Sequence, residues 1–376
     1  MPPALKCAEA YDGKLSGMRV YLDAVNICGR RQLDLQKIRT YLIRNNHTLS
    51  DAAENSDAAL LMACAFNNKT EQNAVEAFKR IQNCRAPIYL LEGIAETAGP
   101  RLGAEACIGL RDFSLLDRYF KTRVSYDAVE EQNCMYSNPD EHKYYIQVSH
   151  GCADHCAYCG DKKIVGELVS KPLQQCIAEA MRGIAKGFYE IELIGDDVGA
   201  WGLDLGSNVC VLLNAICGIA AIRSLTMQEV NIKYLIKNLK AFEQILALGK
   251  IRSMVVAIQS GNSRILEAMK RGYSREDVDT LLSVLWRYDI QARFHVIIGF
   301  PGETEDEFAD TMDMICTNPF AGGTVFTYQS RDYTSAGTLP VQLSELQIRE
   351  RRDRAIKILT ERKGRPPEIQ PDKLWV

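Results

Sequence analysis

Three cysteines stand within eight residues in HGCADHCAYCG: Cys152, Cys156 and Cys159, spaced C-x3-C-x2-C. Thiolates at that spacing can wrap one face of a cubane, because soft sulfur ligands suit iron–sulfur clusters. A structural zinc ion usually takes four protein ligands, often as two separated pairs. No second cysteine pair lies nearby, so a three-ligand loop leaves one metal position open. That is a catalytic arrangement. A zinc site completed by His150 or His155 is the alternative the same stretch allows.

The elements around the triad read as alternating strands and helices. KYYIQVSH is a strand that runs into the cysteine loop, and Pro172 to Lys186 has helical spacing ending at Gly187. FYEIELIG, MQEVNIKYL, RSMVVAIQ, ARFHVIIGF and GGTVFTYQ follow as strands. Between them lie helices at Val209–Ile222, Leu239–Leu248, SREDVDTLLSVLWRYD and TEDEFADTMDMIC. Ser274 is a helix N-cap, and Thr304 with Glu307 has capping-box spacing. About six strand–helix units imply a barrel-like or open parallel sheet, with ligands at the C-terminal strand ends. Upstream, MRVYLDAV, AALLMACA and PIYLLEGIA are strands, and Leu33–Arg44 and TEQNAVEAFKRIQN are helical. That is a smaller parallel sheet with helices on both faces.

The chain divides into an α/β domain at 18–129, a polar linker at 130–143 (EEQNCMYSNPDEHK), a larger α/β domain at 144–345, and a basic helix with tail at 346–376. Residues 346–365 carry eight Lys/Arg and three Asp/Glu, with apolar Leu346, Ile348, Ile356 and Leu359 on one side. A docked surface helix is the expected reading, with a phosphate-binding surface as the alternative. The 376 residues are 47% hydrophobic and 25% charged, an ordinary globular profile. A net charge of −3 supplies no basic field to gather nucleic acid. No apolar run is long enough to span a membrane. MPPALKCAEAYDGK lacks the apolar core of a signal peptide, so thirteen cysteines point to a reducing cytoplasm.

The triad, with Tyr158 before its last cysteine, resembles the signature of radical S-adenosylmethionine (SAM) enzymes. HGCADHCAYC, GELVSKP, EIELIGDDVGAWG, AIQSGNSRILEAMKR and HVIIGFPGETEDEF follow one another as in the methylthiotransferase branch, over about residues 18–345. The resemblance implies α/β architecture: a small Rossmann- or flavodoxin-like N-terminal parallel sheet, then a partial (β/α)6 radical SAM barrel. It implies a [4Fe-4S] cluster on Cys152, Cys156 and Cys159 whose fourth iron holds SAM. One electron then yields a 5′-deoxyadenosyl radical that abstracts hydrogen from substrate. Tyr158 stands beside that site. Gln259 and Ser260 are expected near the SAM ribose. Gly299, Gly302 and Glu303 are expected along its adenine and methionine side. Asp196 and Asp197 are expected at its amino group or the substrate, and Arg264 and Arg293 at its carboxylate. Turn capping by the aspartates and structural ion pairs for the arginines are the alternatives.

Methylthiotransferases also carry a second cluster on three N-terminal cysteines, which handles the inserted sulfur. Cys28 and Cys64 match two of them, as catalytic and metal-binding candidates; Gly93 stands at the third. Three readings are open. A substitute ligand such as Cys84, Cys107 or a carboxylate keeps the cluster. The cluster is lost, leaving Cys28 and Cys64 as structural or persulfide-carrying thiols. Otherwise one of them donates a hydrogen atom. Cys7, Cys176, Cys210, Cys217 and Cys316 fit ordinary core or surface positions. The tRNA-modifying members end in a small RNA-binding barrel, and the segment after Ser344 is too short for one. The expected function is therefore hydrogen abstraction from a small natural-product-type substrate followed by thiolation or methylthiolation. Sulfur-free dehydration, rearrangement or epimerisation is the first alternative, and methylthiolation of tRNA or a protein side chain the second. A reductant such as flavodoxin or ferredoxin is the expected partner; RNA and membrane are not.

Overall fold

The computed structural model describes residues 17–130, 143–364, 366–370 and 373–376. The linker expected at 130–143, its two end residues apart, and Cys7 lie outside the described residues. The chain forms two units. The described residues of the first are 17–27, 34–65 and 70–130. The second holds the rest, including the short segments 28–33 and 66–69.

In the first unit, strands β1 (Arg19–Val25), β2 (Thr48–Ser50), β3 (Ala58–Ala63), β4 (Ile88–Leu91) and β5 (Ala106–Ile108) pair in the order β2-β1-β3-β4-β5. Every pairing is parallel. This is the flavodoxin-like order the sequence led us to expect. β3, AALLMA, is buried at every position, as a central parallel strand covered on both faces must be. Helix α1 (Gly29–Arg44) buries Ile38, Tyr41 and Leu42. Helix α2 (Asn68–Ile81) buries Ala74, Ala77, Phe78 and Ile81, one face of a 3.6-residue repeat. The strand expected over PIYLLEGIA stops at Leu91. Glu92 adopts φ +69 there, and the chain turns into the short helix α3 (Gly93–Glu96). Helix α4 (Leu116–Tyr119) closes the unit.

The second unit begins with β6 (Lys143–Gln147) and a small antiparallel pair, β7 (Ser149–His150) and β8 (Val169–Ser170). Strands β9 (Glu190–Ile194), β10 (Ser224–Val230), β11 (Ile251–Gln259), β12 (Gln291–Ile298) and β13 (Gly322–Thr327) extend β6 into six parallel strands in consecutive order. Helices α5 (Asp161–Val165), α6 (Leu173–Ala185), α7 (Val209–Cys217), α8 (Ile232–Lys237), α9 (Leu239–Leu246), α10 (Ser263–Ala268), α11 (Arg275–Arg287) and α12 (Glu305–Thr317) lie between them. This is the (β/α)6 alternation of the expected partial barrel. Its core joins Tyr144, Leu193, Met227, Val256 and Phe294 from five strands. Ser274 and Thr304 make the capping boxes of α11 and α12.

Two expectations are corrected. MQEVNIKYL is not one strand: Asn231 accepts from the Lys233 N–H and caps α8, so β10 ends at Val230. The C-terminal segment is not an appendage either. Helix α13 (Glu345–Lys363) packs Ala355 and Leu359 into the barrel core. Strands β14 (Glu368–Gln370) and β15 (Lys373–Trp375) then add to the sheet, β15 antiparallel to β13 with Leu374 buried. Arg351, Arg354 and Arg362 of α13 pair with Glu303, Glu305 and Asp313. Those pairings favour the docked helix over a phosphate-binding surface. No single helix among the described residues is long and apolar enough to cross a membrane.

Candidate metal centre

The triad occupies the loop between β7 and α5. Gly151 opens it at φ +73, and a Cβ there would meet the Glu167 carbonyl oxygen at 1.9 Å, so only glycine fits. Its N–H donates to Asp196 Oδ2 (2.8 Å), tying the loop to the end of β9. The Cys152 N–H donates to Gly166 O, Cys159 N–H to Cys156 O and Ala157 N–H to Met269 O. All three cysteines line one cavity of about 260 Å³, with Tyr158, Asp196, Asp197 and Gln259. His150 and His155, which would complete a zinc site, face elsewhere. His150 Nδ1 is 3.0 Å from Gln147 Nε2, and His155 lies beside Glu167 at the surface.

Burial, with the nearby Asp197 carboxylate, pushes the Cys152 thiol far above its ordinary range, and burial pushes Cys159 up to about 12. Without a cation these sulfurs stay protonated; bound metal is what deprotonates a thiol in such surroundings. Gln259, 8% exposed and held at φ +76, points a buried Oε1 with no hydrogen-bond partner. Three convergent thiols and one orphaned acceptor on the same cavity suit a cluster and a ligand with hydroxyl or ammonium donors.

The aspartates are already engaged. Asp196 Oδ1 accepts from Arg31 (2.6 Å), and Arg31 and Arg30 hold its carboxyl below the usual range although burial alone would raise it. Asp197 caps the turn at Val198–Ala200 and accepts from the Asn231 N–H (3.1 Å); burial pushes it up to about 6. Both line the cavity, and turn capping holds for Asp197. Arg31 and Asp196 are buried, so removing one partner strands the other charge. Arg31→Met is expected to destabilise the fold by about 3–5 kcal/mol. Urea unfolding measures it, and Asp196→Asn in the same chain should recover part of the loss.

Other expected residues lie away from this cavity. Ser260 is fully buried and bonded to Thr311. Arg264 is an ion pair with Glu307 and donates to Gly302 O, so the structural alternative holds. Arg293 sits near the start of β12, the end of the strand opposite the ligand end. Gly299 packs on Ile348, and its N–H donates to Glu303, which also accepts from Arg351. Gly302 and Glu303 line a separate cavity beside α13. They shape the β12–α12 turn. Cys28 is exposed and hydrogen-bonded by Arg30, which does line the triad cavity. Cys64 is half-buried, its N–H on Val25 O.

Sequence reasoning missed several lining groups. Glu229 and His295, near the C-terminal ends of β10 and β12, approach to 3.5 Å; burial would raise the Glu229 carboxyl, but His295 and Arg30 draw it down to about 2. Phe326 stacks edge-on between Phe66 and His295. Arg271, 4% exposed, donates to Cys156 Sγ at 3.0 Å and to the Tyr158 hydroxyl at 3.3 Å. Position at a strand's C-terminal end is a signal that pointed to His295 and Glu229; nothing local marks Arg271.

Comparison with known proteins bears on this centre. Residues 146–315 match the Radical SAM superfamily model. A tRNA-2-methylthio-N(6)-dimethylallyladenosine synthase of Campylobacter jejuni is 28% identical over 332 residues, covering 80% of this chain and 74% of that one. The ribosomal protein uS12 methylthiotransferase RimO of Desulforamulus reducens is 27% identical over 366 residues, covering 89% and 81%. In fold, the chain is similar to the radical S-adenosylmethionine methyltransferase TsrM from Kitasatospora setae (TM-score 0.62, 13% identity, 85% of this chain and 75% of that one).

Proposed function

The chain belongs to the radical SAM superfamily, on its methylthiotransferase-like branch, and on that premise we propose a reaction for the triad cavity. Cys152, Cys156 and Cys159 hold a [4Fe-4S] cluster, SAM binds beside Gln259, and a small polar substrate loses hydrogen and gains a carbon–sulfur bond. When bound, the cluster and SAM supply a 5′-deoxyadenosyl radical. The chain's own groups do the rest. Arg271 donates to Cys156, Asp196 anchors the triad loop through Gly151, and Gln259 Oε1 accepts from a ligand donor. Phe66 and Phe326 give the cavity an apolar wall that excludes water, while Glu229, His295 and Arg30 give it a charged one.

The observation that carries this reading is the convergence of three buried thiols and an unpartnered Gln259 on one cavity. The paired charges and aromatic wall support a compact polar substrate with an apolar face. The relatives named above are a tRNA-modifying synthase and a ribosomal-protein methylthiotransferase, so those substrate classes belong in the test. Enzymes of this superfamily need a reductant; flavodoxin or ferredoxin is the proposed donor, in a cytoplasm low in oxygen. Anaerobic enzyme with dithionite and SAM is offered small-metabolite fractions, tRNA or a uS12 peptide in parallel. The expected result is 5′-deoxyadenosine release stimulated by a small metabolite whose mass rises by sulfur. Stimulation by tRNA or peptide alone overturns the substrate class, and a product without sulfur overturns the bond formed.

A further inference from the structure

The second cluster that the family resemblance implies needs a third thiolate beside Cys64, and the first unit does not offer one. At the position where the family has cysteine stands Gly93, the first residue of α3 just beyond β4. A Cβ there would lie 2.6 Å from the Ala65 backbone nitrogen, 3.2 Å from Ala65 Cβ and 3.4 Å from Ala63 O. These are the residues flanking Cys64. The backbone has closed into the gap that a cluster bridging Cys64 and position 93 would fill, and backbone atoms cannot swing aside as a side chain can. Glu92, at φ +69, builds the left-handed turn that brings Gly93 this close.

The two other described cysteines of this unit cannot move in. Cys84 lies between the end of α2 and the start of β4, its thiol on Ala86 O. In a parallel sheet that is the end opposite Cys64, which follows β3. Cys107 pairs with Leu90 and Leu90 with Leu61, three residues before Cys64. It is therefore displaced by about 10 Å along the strands and about 10 Å across two strand spacings. Its sulfur faces Gly99, on the α3 side of β5. The residues do not fit a three-thiolate cluster.

We infer that this chain carries a single [4Fe-4S] cluster, at the triad, and that Cys64 and Cys28 are thiols rather than cluster ligands. Sulfur for any carbon–sulfur bond then has to come from a source other than a cluster in the first unit. The inference concerns that unit alone and is independent of which substrate the triad cavity takes.

The test is an iron and acid-labile sulfide count on full-length chain, reconstituted anaerobically with iron and sulfide and then desalted, with Mössbauer spectra to assign cluster type. About four irons are expected per wild-type chain, and none in the triple variant Cys152→Ala/Cys156→Ala/Cys159→Ala. Retention of about four irons by that variant overturns the inference, whether the extra ligand is a carboxylate or Cys7. If the triple variant does not fold, Cys28→Ser and Cys64→Ser in the otherwise intact chain decide: unchanged iron supports the single cluster, and a fall overturns it. Gly93→Cys is expected to lower the melting temperature without adding iron. A second cluster in Gly93→Cys would overturn the argument that the gap is closed.

Discussion

Replacing any one of Cys152, Cys156 and Cys159 by alanine is expected to abolish reductive SAM cleavage and strip the chain of stable iron. The three sulfurs line a single cavity, and neither nearby histidine can stand in for a lost one. With two ligands the cluster is no longer held as three hold it, and buried thiols whose protonated form is favoured by their surroundings revert to that form once the metal leaves. The fold itself should survive. The loop is anchored by Gly151 on Asp196, by Cys152 N–H on Gly166 O and by Ala157 N–H on Met269 O, none of which uses a cysteine side chain. Iron content, 5′-deoxyadenosine formation and far-ultraviolet circular dichroism together check this. A variant that keeps SAM cleavage would show that its cysteine is not a ligand.

The triad was legible because its ligands are contiguous in sequence, so spacing alone encodes their convergence. The parallel sheets were legible for a similar reason: AALLMA and RSMVVAIQ are apolar runs of strand length bounded by polar helices. Legibility failed where the deciding contact is distant or is a single cap. In NIKYL, Ile232, Tyr234 and Leu235 are buried in a helix, and their apolar pattern fits a strand as well; the Asn231 side chain settles it. The C-terminal hairpin depends on pairing with β13, about fifty residues earlier, and Leu374 carries its burial almost alone. Motif membership also outran geometry. Ser260, Arg264, Gly302 and Glu303 lie in family motifs, yet here they brace turns and helices away from the triad cavity. Asp196 was named as a candidate, but its partner Arg31, 165 residues away in sequence, was invisible to any local pattern.

Arg271→Met is expected to lower the reduction potential of the triad cluster while leaving the chain folded. The guanidinium is fixed by a fork of contacts: Nη1 to Cys156 Sγ and the Tyr158 hydroxyl, Nη2 to Ala257 O at 2.8 Å, and Nε to the Tyr273 hydroxyl at 2.9 Å. Tyr273 in turn donates to Ile258 O, so the arginine is held by groups at the end of β11. A cation donating a hydrogen bond to a ligand sulfur stabilises the more negative, reduced state over the oxidised one. Removing a hydrogen bond to a charged group costs about 1.5–3 kcal/mol, which for one electron corresponds to roughly 60–130 mV. Methionine keeps most of the volume and none of the charge. Arg271→Lys keeps the charge without the fork, so its potential should fall between the two. An EPR-monitored redox titration reads the shift directly. A merely structural arginine would instead lower the melting temperature and leave the potential where it was. With the potential lowered, SAM cleavage should slow with flavodoxin or ferredoxin as donor and recover in part with a stronger reductant, a pattern that loss of folding cannot produce.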